Sequence, residues 1–529
     1  MSSHDSNENI QVINKILDLE KFQTSLIQPL RQSGQVIGLC HGVFDVLHEG
    51  HFRHINRARE LCDYLIVSLT FDNFVNKGPG RPINSIDSRA YQIASLANVD
   101  LVLINKSETA IPVLIKVKPN LYFKGSDYNE FSDIGEFDSS GNLEREVSVL
   151  NEYGAKIIFT NEKSSSSSSI IQQMNLLNVS DDFKTYVKSI KLNYTLDEIF
   201  SYLEEIRKLK VLIYGDAIFD EFIDCEALGK SSKNPLVAFR ELSKEVQAGG
   251  ALAIANTIQN LIGNKNVKVV SYLNQENEEE LKSLNYPIDI LSSIVISKGD
   301  KITTRKIRYI DKLSGTFVFE KYIMNDARLP QKIIENSTRF LKTTISKFDT
   351  LLVADFGHGD VIPEVVNFAI SNNVFVSINC QLNAGNGGRN SIQRFRNFNL
   401  ATLNGSELDI EIRQEHLGLP AKAVELHSKL NVDSLIVTNG AKGIVLTDSI
   451  TQVISPASFN GLGLIKDRIG AGDAVFAISS LLSKVNCPNE IIGFLADLIV
   501  KHNLVARGNS FNANLLDLKK SIKYLYKGV

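Results

Sequence analysis

Three things that would place a chain quickly are missing here. The five cysteines (Cys40, Cys62, Cys225, Cys380, Cys487) are scattered and odd in number, with no CxxC spacing. That pattern indicates neither a disulfide framework nor a zinc site. Charge of one sign is also scarce: 57 Lys and Arg against 60 Asp and Glu leave a formal net charge of −3. Without a broad basic field, a nucleic-acid partner is disfavoured. No apolar run approaches bilayer length, and the polar start Met1-Ser2-Ser3-His4-Asp5 is unlike a signal peptide. No membrane association and a cytoplasmic location are therefore expected. What remains is an ordinary soluble composition, 43% hydrophobic and 22% charged, in 529 residues. That length predicts two or more domains, each burying its own core.

The most informative stretch runs from Gly38 to His51. Val36 to Leu39 reads as a strand that His41-Gly42 breaks. From Leu47 a helix is expected, with Ile55, Ala58 and Leu61 on its apolar side. His48 and His51 then share one face at a helix start, beside free backbone N–H groups that already attract phosphate. Two imidazoles there can hold the anion released when an α-phosphorus is attacked. A metal pair or a solvated face is the bland alternative. The preceding strand, the glycine turn and Phe44-Asp45 favour a nucleoside triphosphate site. Gly42-Val43-Phe44-Asp45-Val46-Leu47-His48-Glu49-Gly50-His51 resembles the GxFDxxHxGH signature of the cytidylyltransferase-like nucleotidyltransferases. The resemblance implies a Rossmann-like domain over 35–178, with His48 and His51 catalytic and Gly42, Phe44 and Asp45 beside the nucleotide.

Residues 10–33 carry charged and apolar positions at helical spacing, so a leader helix is expected within 1–34. Tyr64–Leu69 and Val99–Leu103 read as strands and Asp87–Leu96 as a helix, an alternation that means a parallel α/β sheet. The loop Lys77-Gly78-Pro79-Gly80-Arg81 suits phosphate binding, or is a solvated turn. Lys124-Gly125-Ser126-Asp127 follows a short strand and can touch the sugar phosphate or the nucleotide. Ser164–Ser169 is either a flexible linker or a capping and phosphate-donating start to the helix at Ile170. In the family these patches occur in the same order, which implies Lys77 as catalytic, and Arg81, Lys124, Asp127, Ser166, Ser167 and Ser168 as nucleotide-binding.

Residues 179–208 are helical in period and read as a linker. A second α/β domain is expected over 209–529. Val211–Asp216 is a strand ending in Gly-Asp, with Asp220 four positions on, and Gly249-Gly250-Ala251 opens an apolar helix. Thr303–Ile310 and Thr316–Tyr322 form a hairpin around Leu313-Ser314-Gly315, a lid. Strands at 350–354, 374–378 and 434–438 follow. Asp467-Arg468-Ile469-Gly470-Ala471-Gly472-Asp473 puts small residues and a carboxylate at a helix start, where Asp473 can take a hydroxyl proton during phosphoryl transfer. Mere packing is the alternative for a glycine-rich turn. With Asn404 to Glu407 and Thr438 to Gly443, these motifs resemble the ribokinase-like (PfkB) carbohydrate kinases over 209–525. That implies Asp216, Asp220, Gly249 and Gly250 at the sugar and Lys306 and Arg308 at its phosphate. It also implies Asn404, Glu407, Thr438, Gly440, Gly443, Gly470, Ala471 and Gly472 along ATP, with Glu407 towards Mg2+.

A nucleotidyltransferase joined to such a kinase resembles the bifunctional heptose 7-phosphate kinases and heptose 1-phosphate adenylyltransferases of lipopolysaccharide precursor synthesis, with the domain order reversed. The resemblance implies phosphorylation of a sugar phosphate at O1, then an ADP-sugar and pyrophosphate. It further implies ATP, with CTP as the other candidate donor, as substrates with Mg2+, and a homodimer through the lid. The family's Asp-Pro-Lys is Asn379-Cys380-Gln381 here, Leu252-Ala253 replaces an expected Asn, and Ile469 stands for a threonine. The alternative is a CTP-dependent transferase whose kinase fold only senses ligands or dimerises.

Overall fold

The computed structural model describes residues 12–75, 82–125, 142–160, 179–284, 286, 296–297, 302–324, 329–382, 385–458, 467–504, 507–509 and 514–529. Contacts divide the chain into residues 1–177 and 178–529.

The described residues of the first unit hold six strands: β1 (Ile16–Asp18), β2 (Ile37–Gly42), β3 (Tyr64–Thr70), β4 (Leu101–Asn105), β5 (Leu121–Gly125) and β6 (Lys156–Thr160). Their order is β1-β4-β3-β2-β5-β6, and all pairs are parallel. Alternate residues of each strand enter separate cores, as a sheet covered on both faces requires. Leu39, Ile66, Leu103 and Tyr122 pack with Val113, Leu114 and Leu150 in one cluster. Cys40, Val67, Leu69 and Phe123 pack with Ile55, Ala58, Ala90 and Ile93 in the other. From central β2 the chain builds towards β3 and β4, then returns to the other side as β5 and β6. The crevice beyond the ends of β2 and β5 is therefore the switch point where open α/β sheets bind ligands.

The expected leader helix over 10–33 is not what forms. Its described part holds β1, paired with β4 from Ile16↔Val102, then a turn and the short helix Gln28–Gln32. The free edge of β4 offers ladder partners that an isolated helix lacks, and Leu19, Phe22 and Ile27 still reach the core from turns.

Among its described residues the second unit has fourteen strands. They are β7 (Val211–Gly215), β8 (Ala217–Lys230), β9 (Val237–Gly250), β10 (Val267–Val270), β11 (Tyr272–Leu273), β12 (Ile296–Ser297), β13 (Thr304–Asp311), β14 (Phe317–Ile323), β15 (Thr350–Asp355), β16 (Phe375–Cys380), β17 (Leu400–Asn404), β18 (Ser434–Thr438), β19 (Ile444–Asp448) and β20 (Gln452–Ser455). Eight form one sheet in the order β10-β7-β15-β16-β17-β18-β19-β20, parallel through β18 and antiparallel beyond it. A separate four-stranded sheet, β14-β13-β8-β9, contains the expected hairpin and the two long strands β8 and β9. The helices Asp181–Asn193 and Leu196–Ile206 pack on this unit, Phe183 stacking on Phe494 at 6.0 Å. Among the described residues, no helix is long and apolar enough to cross a membrane.

Candidate functional site

Each unit carries a candidate site, and each begins where a strand hands over to a helix. In the first unit β2 ends at Gly42, and Phe44 and Val46 then take positive φ, 50° and 48°. Non-glycine residues hold that conformation only where their surroundings impose it. Two groups impose it. The buried Asp45 carboxylate accepts the N–H groups of Ile83 (2.8 Å) and Asn84 (3.0 Å). Arg89, fully buried, donates to the carbonyls of Val43, Thr70 and Asn84 and pairs with Asp72. Sequence reading passed over Arg89, because a helical arginine normally reads as a solvated face.

This turn delivers His48 to the N-cap of the helix Glu49–Glu60, where its Nδ1 accepts the Gly50 N–H at 3.1 Å. An accepting Nδ1 assigns the proton to Nε2, so the other nitrogen is a donor. His51 stands one turn on, its ring centroid 4.0 Å from that of His48 and 5.2 Å from Phe44. The two imidazoles thus sit together at a helix N-terminus. A Cβ on Gly42 would come within 3.1 Å of the Phe44 ring, so the small residue keeps Phe44 in place. His54 bonds Thr160 at 2.8 Å, and burial lowers its pKa to about 4. It is a neutral packing group. Lys124 is committed inward, in a buried ion pair with Glu146 at 2.6 Å, and so anchors β5. Lys77, Arg81, Asp127 and Ser166–Ser168 lie outside the described residues.

In the second unit, Gly470 caps the helix Ala471–Lys484 with φ 79°, and Asp473 stands in its first turn. Asp467 holds this loop by accepting the N–H groups of Arg468, Ile469 and Gly508. A cleft of about 890 Å³ runs past that helix start. At one end its wall carries Asp220, Gly250, Lys306 and Arg308; further along are Asn404, Thr438, Gly440 and Gly443. Gly470, Ala471, Gly472 and Asp473 line the same cleft, so these expected residues are brought together. Burial, and then repulsion from Asp220, raise the Asp473 pKa to about 7, with Lys306 opposing. A carboxylate so poised suits proton acceptance near neutral pH.

Three expected site residues are placed elsewhere. Asp216 is fully buried and spent on backbone: it accepts the N–H groups of Phe356 (2.7 Å) and Asp360 (3.1 Å). It therefore shapes the loop after β15, and that loop's Phe356 lines the cleft. Gly249 is not on the wall, but a Cβ there would lie 2.1 Å from Asp220 Oδ2, so it makes room for the aspartate that is. Glu407 forms a capping box with Asn404 and accepts the Leu382 N–H, at 2.7 and 3.1 Å. Burial lifts its pKa to about 7. As built it does not present an oxygen to a metal in the cleft. Among the described residues no three His, Cys, Asp or Glu side chains are grouped to hold a metal ion. Of the departures in sequence, Asn379 turns away to Thr402, whereas Gln381 and Ile469 line the cleft.

Residues 39–174 match the family model described as cytidylyltransferase-like. The bifunctional protein HldE of Granulibacter bethesdensis is 40% identical over 113 residues, 21% of this chain and 23% of that protein. That of Caulobacter vibrioides is 33% identical over 164 residues, 30% and 32% of the two chains. The chain thus spans about a quarter to a third of the curated relatives it matches. Among solved structures, ribokinase from Thermotoga maritima aligns with 60% of this chain and 100% of its own, at 19% identity and a TM-score of 0.46. Escherichia coli phosphofructokinase-2 in complex with fructose-6-phosphate aligns with 60% and 99%, at 15% identity and a TM-score of 0.47.

Proposed function

We propose that the protein is a bifunctional enzyme of nucleotide-sugar formation. The first unit couples a sugar 1-phosphate to a nucleoside triphosphate. A phosphate oxygen of the sugar attacks the α-phosphorus, the α–β bridge breaks, and pyrophosphate leaves against His48 and His51. The paired imidazoles at one helix N-terminus are the observation that supports this reading. Lys77, Arg81, Asp127 and Ser166–Ser168 are proposed as further phosphate and nucleotide contacts. ATP is the donor we favour, giving an ADP-sugar, because Thr160-Asn161-Glu162-Lys163 lacks the arginine of the Arg-Thr-x-Gly run that cytidylyltransferases of this family often carry. Pyrophosphate release should be faster with ATP than with CTP at equal concentration and a heptose 1-phosphate or similar aldose 1-phosphate. Turnover with CTP alone would overturn the adenylyl reading.

The second unit, on this proposal, transfers the γ-phosphoryl of ATP to O1 of a sugar or sugar phosphate. Heptose 7-phosphate is the acceptor that the bifunctional relatives suggest. Asp473 takes the O1 proton as O1 attacks, and ADP leaves towards Asn404, Thr438 and Gly440. The cleft that unites Asp473, Asp220 and Lys306 with these residues carries the proposal. Magnesium bound to the triphosphate would neutralise its charge; Glu407 does not fit as a direct ligand, being buried and bonded to backbone. ADP release by the full chain across a panel of aldoses and aldose phosphates tests the reading, and no ADP with any acceptor refutes it.

A second reading keeps only the transferase active and uses the kinase fold for dimerisation or sensing. One observation favours a dimerising role, alongside either reading. The four-stranded sheet that carries the lid hairpin exposes Val237 (57%) on β9 and Phe317 (48%) and Phe319 (48%) on β14, apolar side chains that a second copy would cover. We propose a homodimer through this lid.

A further inference from the structure

Ala457 and Ser458 follow β20, the edge strand of the large sheet, and both line the second cleft. No ladder holds them, so their backbone groups need other partners. Among the described residues two supply the hydrogen bonds. On one side is Ser180, in the segment that joins the two units. Its N–H donates to the Ser458 carbonyl at 3.0 Å, and its hydroxyl donates to the Ala457 carbonyl at 2.7 Å. On the other side is Asp497, whose Oδ1 accepts the Ser458 N–H at 3.0 Å.

The joining segment braces this wall a second time. Ser180 also caps the helix Asp181–Asn193, its oxygen accepting the Phe183 N–H at 3.2 Å. That helix packs on the helix Asn489–Leu504, which brings Asp497, Val500 and Lys501 to the cleft. Phe183 stacks on Phe494 at 6.0 Å, and the Tyr186 hydroxyl donates to the Glu490 carbonyl at 2.7 Å. Asp497 and Lys501 act on each other's charge, whereas Asp473 responds to Asp220 and Lys306. The braced wall is therefore remote from the point of phosphoryl transfer. On the kinase reading, that end of the cleft takes the donor nucleotide.

We propose that Ser180 is a positioning residue for the donor nucleotide of the second unit. By holding Ala457 and Ser458 against Asp497 it fixes the wall that the nucleotide meets, so the joining segment is a working part of the kinase and not a spacer. The inference rests on the kinase reading above and adds to it a residue from outside the ribokinase-like span. A serine that only capped its helix would support stability and leave nucleotide affinity alone.

Three variants of the full chain separate the two roles, assayed with magnesium by ADP release against ATP concentration, at saturating levels of the best aldose or aldose phosphate. Ser180→Ala removes both the cap and the bond to Ala457. Ser180→Asp keeps the cap but has no proton for that carbonyl, and Ser180→Thr keeps both. The KM for ATP should rise about five- to tenfold in the Ala and Asp variants, the scale of one buried hydrogen bond, and stay near wild type in Thr. The acceptor KM should not move. KM does not depend on how much of the chain is folded, so partial misfolding does not mask or mimic the effect. An unchanged ATP KM in Ser180→Asp, or a loss confined to kcat, would reduce Ser180 to a cap and overturn this inference alone. No ADP from wild type with any acceptor would overturn the kinase reading and the inference with it.

Discussion

Asp473 makes one commitment that can be measured in two ways. Its carboxyl is raised from an ordinary 3.8 to about 7, by burial first, then by Asp220, against Lys306. A carboxyl raised in the folded state binds more protons there than when unfolded. Stability is therefore lost as pH rises, beginning near the unfolded value and complete above about pH 7. A rise of that size corresponds to about 4 kcal/mol at pH 8 and about 2 kcal/mol at pH 5, upper figures because the Asp473 side chain is only half-buried in the cleft wall. Asp473→Asn keeps the shape and removes the charge. The variant should melt higher than wild type at pH 8, by several degrees in the second unit's transition, and the gap should shrink at pH 5. Its ADP release should fall about 100- to 10,000-fold with the base gone, while pyrophosphate release is unchanged. In wild type, kcat/KM for ADP release should climb with pH through about 7 as the base ionises. Equal melting of variant and wild type at pH 8, or ADP release by the variant near wild-type rates, would refute the assignment.

Four further outcomes are expected. His51→Ala should slow pyrophosphate release about 100- to 1,000-fold, the usual loss for one preorganised donor at a developing charge, with ADP release intact. Arg89→Leu should destabilise the first unit by about 3–5 kcal/mol in chemical denaturation, because Asp72 and three carbonyls lose a buried cation. Gly249→Ala should impair ADP release chiefly through acceptor KM, since its Cβ displaces Asp220; an unchanged KM would show that Asp220 does not touch the acceptor. Val237→Asp combined with Phe317→Asp should shift sedimentation towards monomer if the lid is the dimer surface, and leave it unaltered if it is not.

Why some of this was readable from sequence, and some not, follows from where each signal is written. The runs at β2, β3, β7 and β15 are apolar on both faces, so a parallel sheet could be seen in them directly. The helix starts at His48 and Gly470 were legible because local chemistry fixes them: a capping side chain in one, a left-handed glycine in the other. Long-range use of a polar group has no such local mark. Asp216 and Asp220 look alike in Gly-Asp-x-x-x-Asp. Yet one caps a loop 140 residues downstream and the other faces the cleft. The same holds for Arg308: position on β13 put it at the acceptor, but only the pairing of β13 with β8 and β14 brings Asp220 and Glu320 to either side of it. β8 and β9 escaped notice for a related reason. Their outer halves are solvent-exposed and carry charges among the apolar residues, so they need a partner strand rather than a core to define them. A site built on such strands takes its charge balance from register.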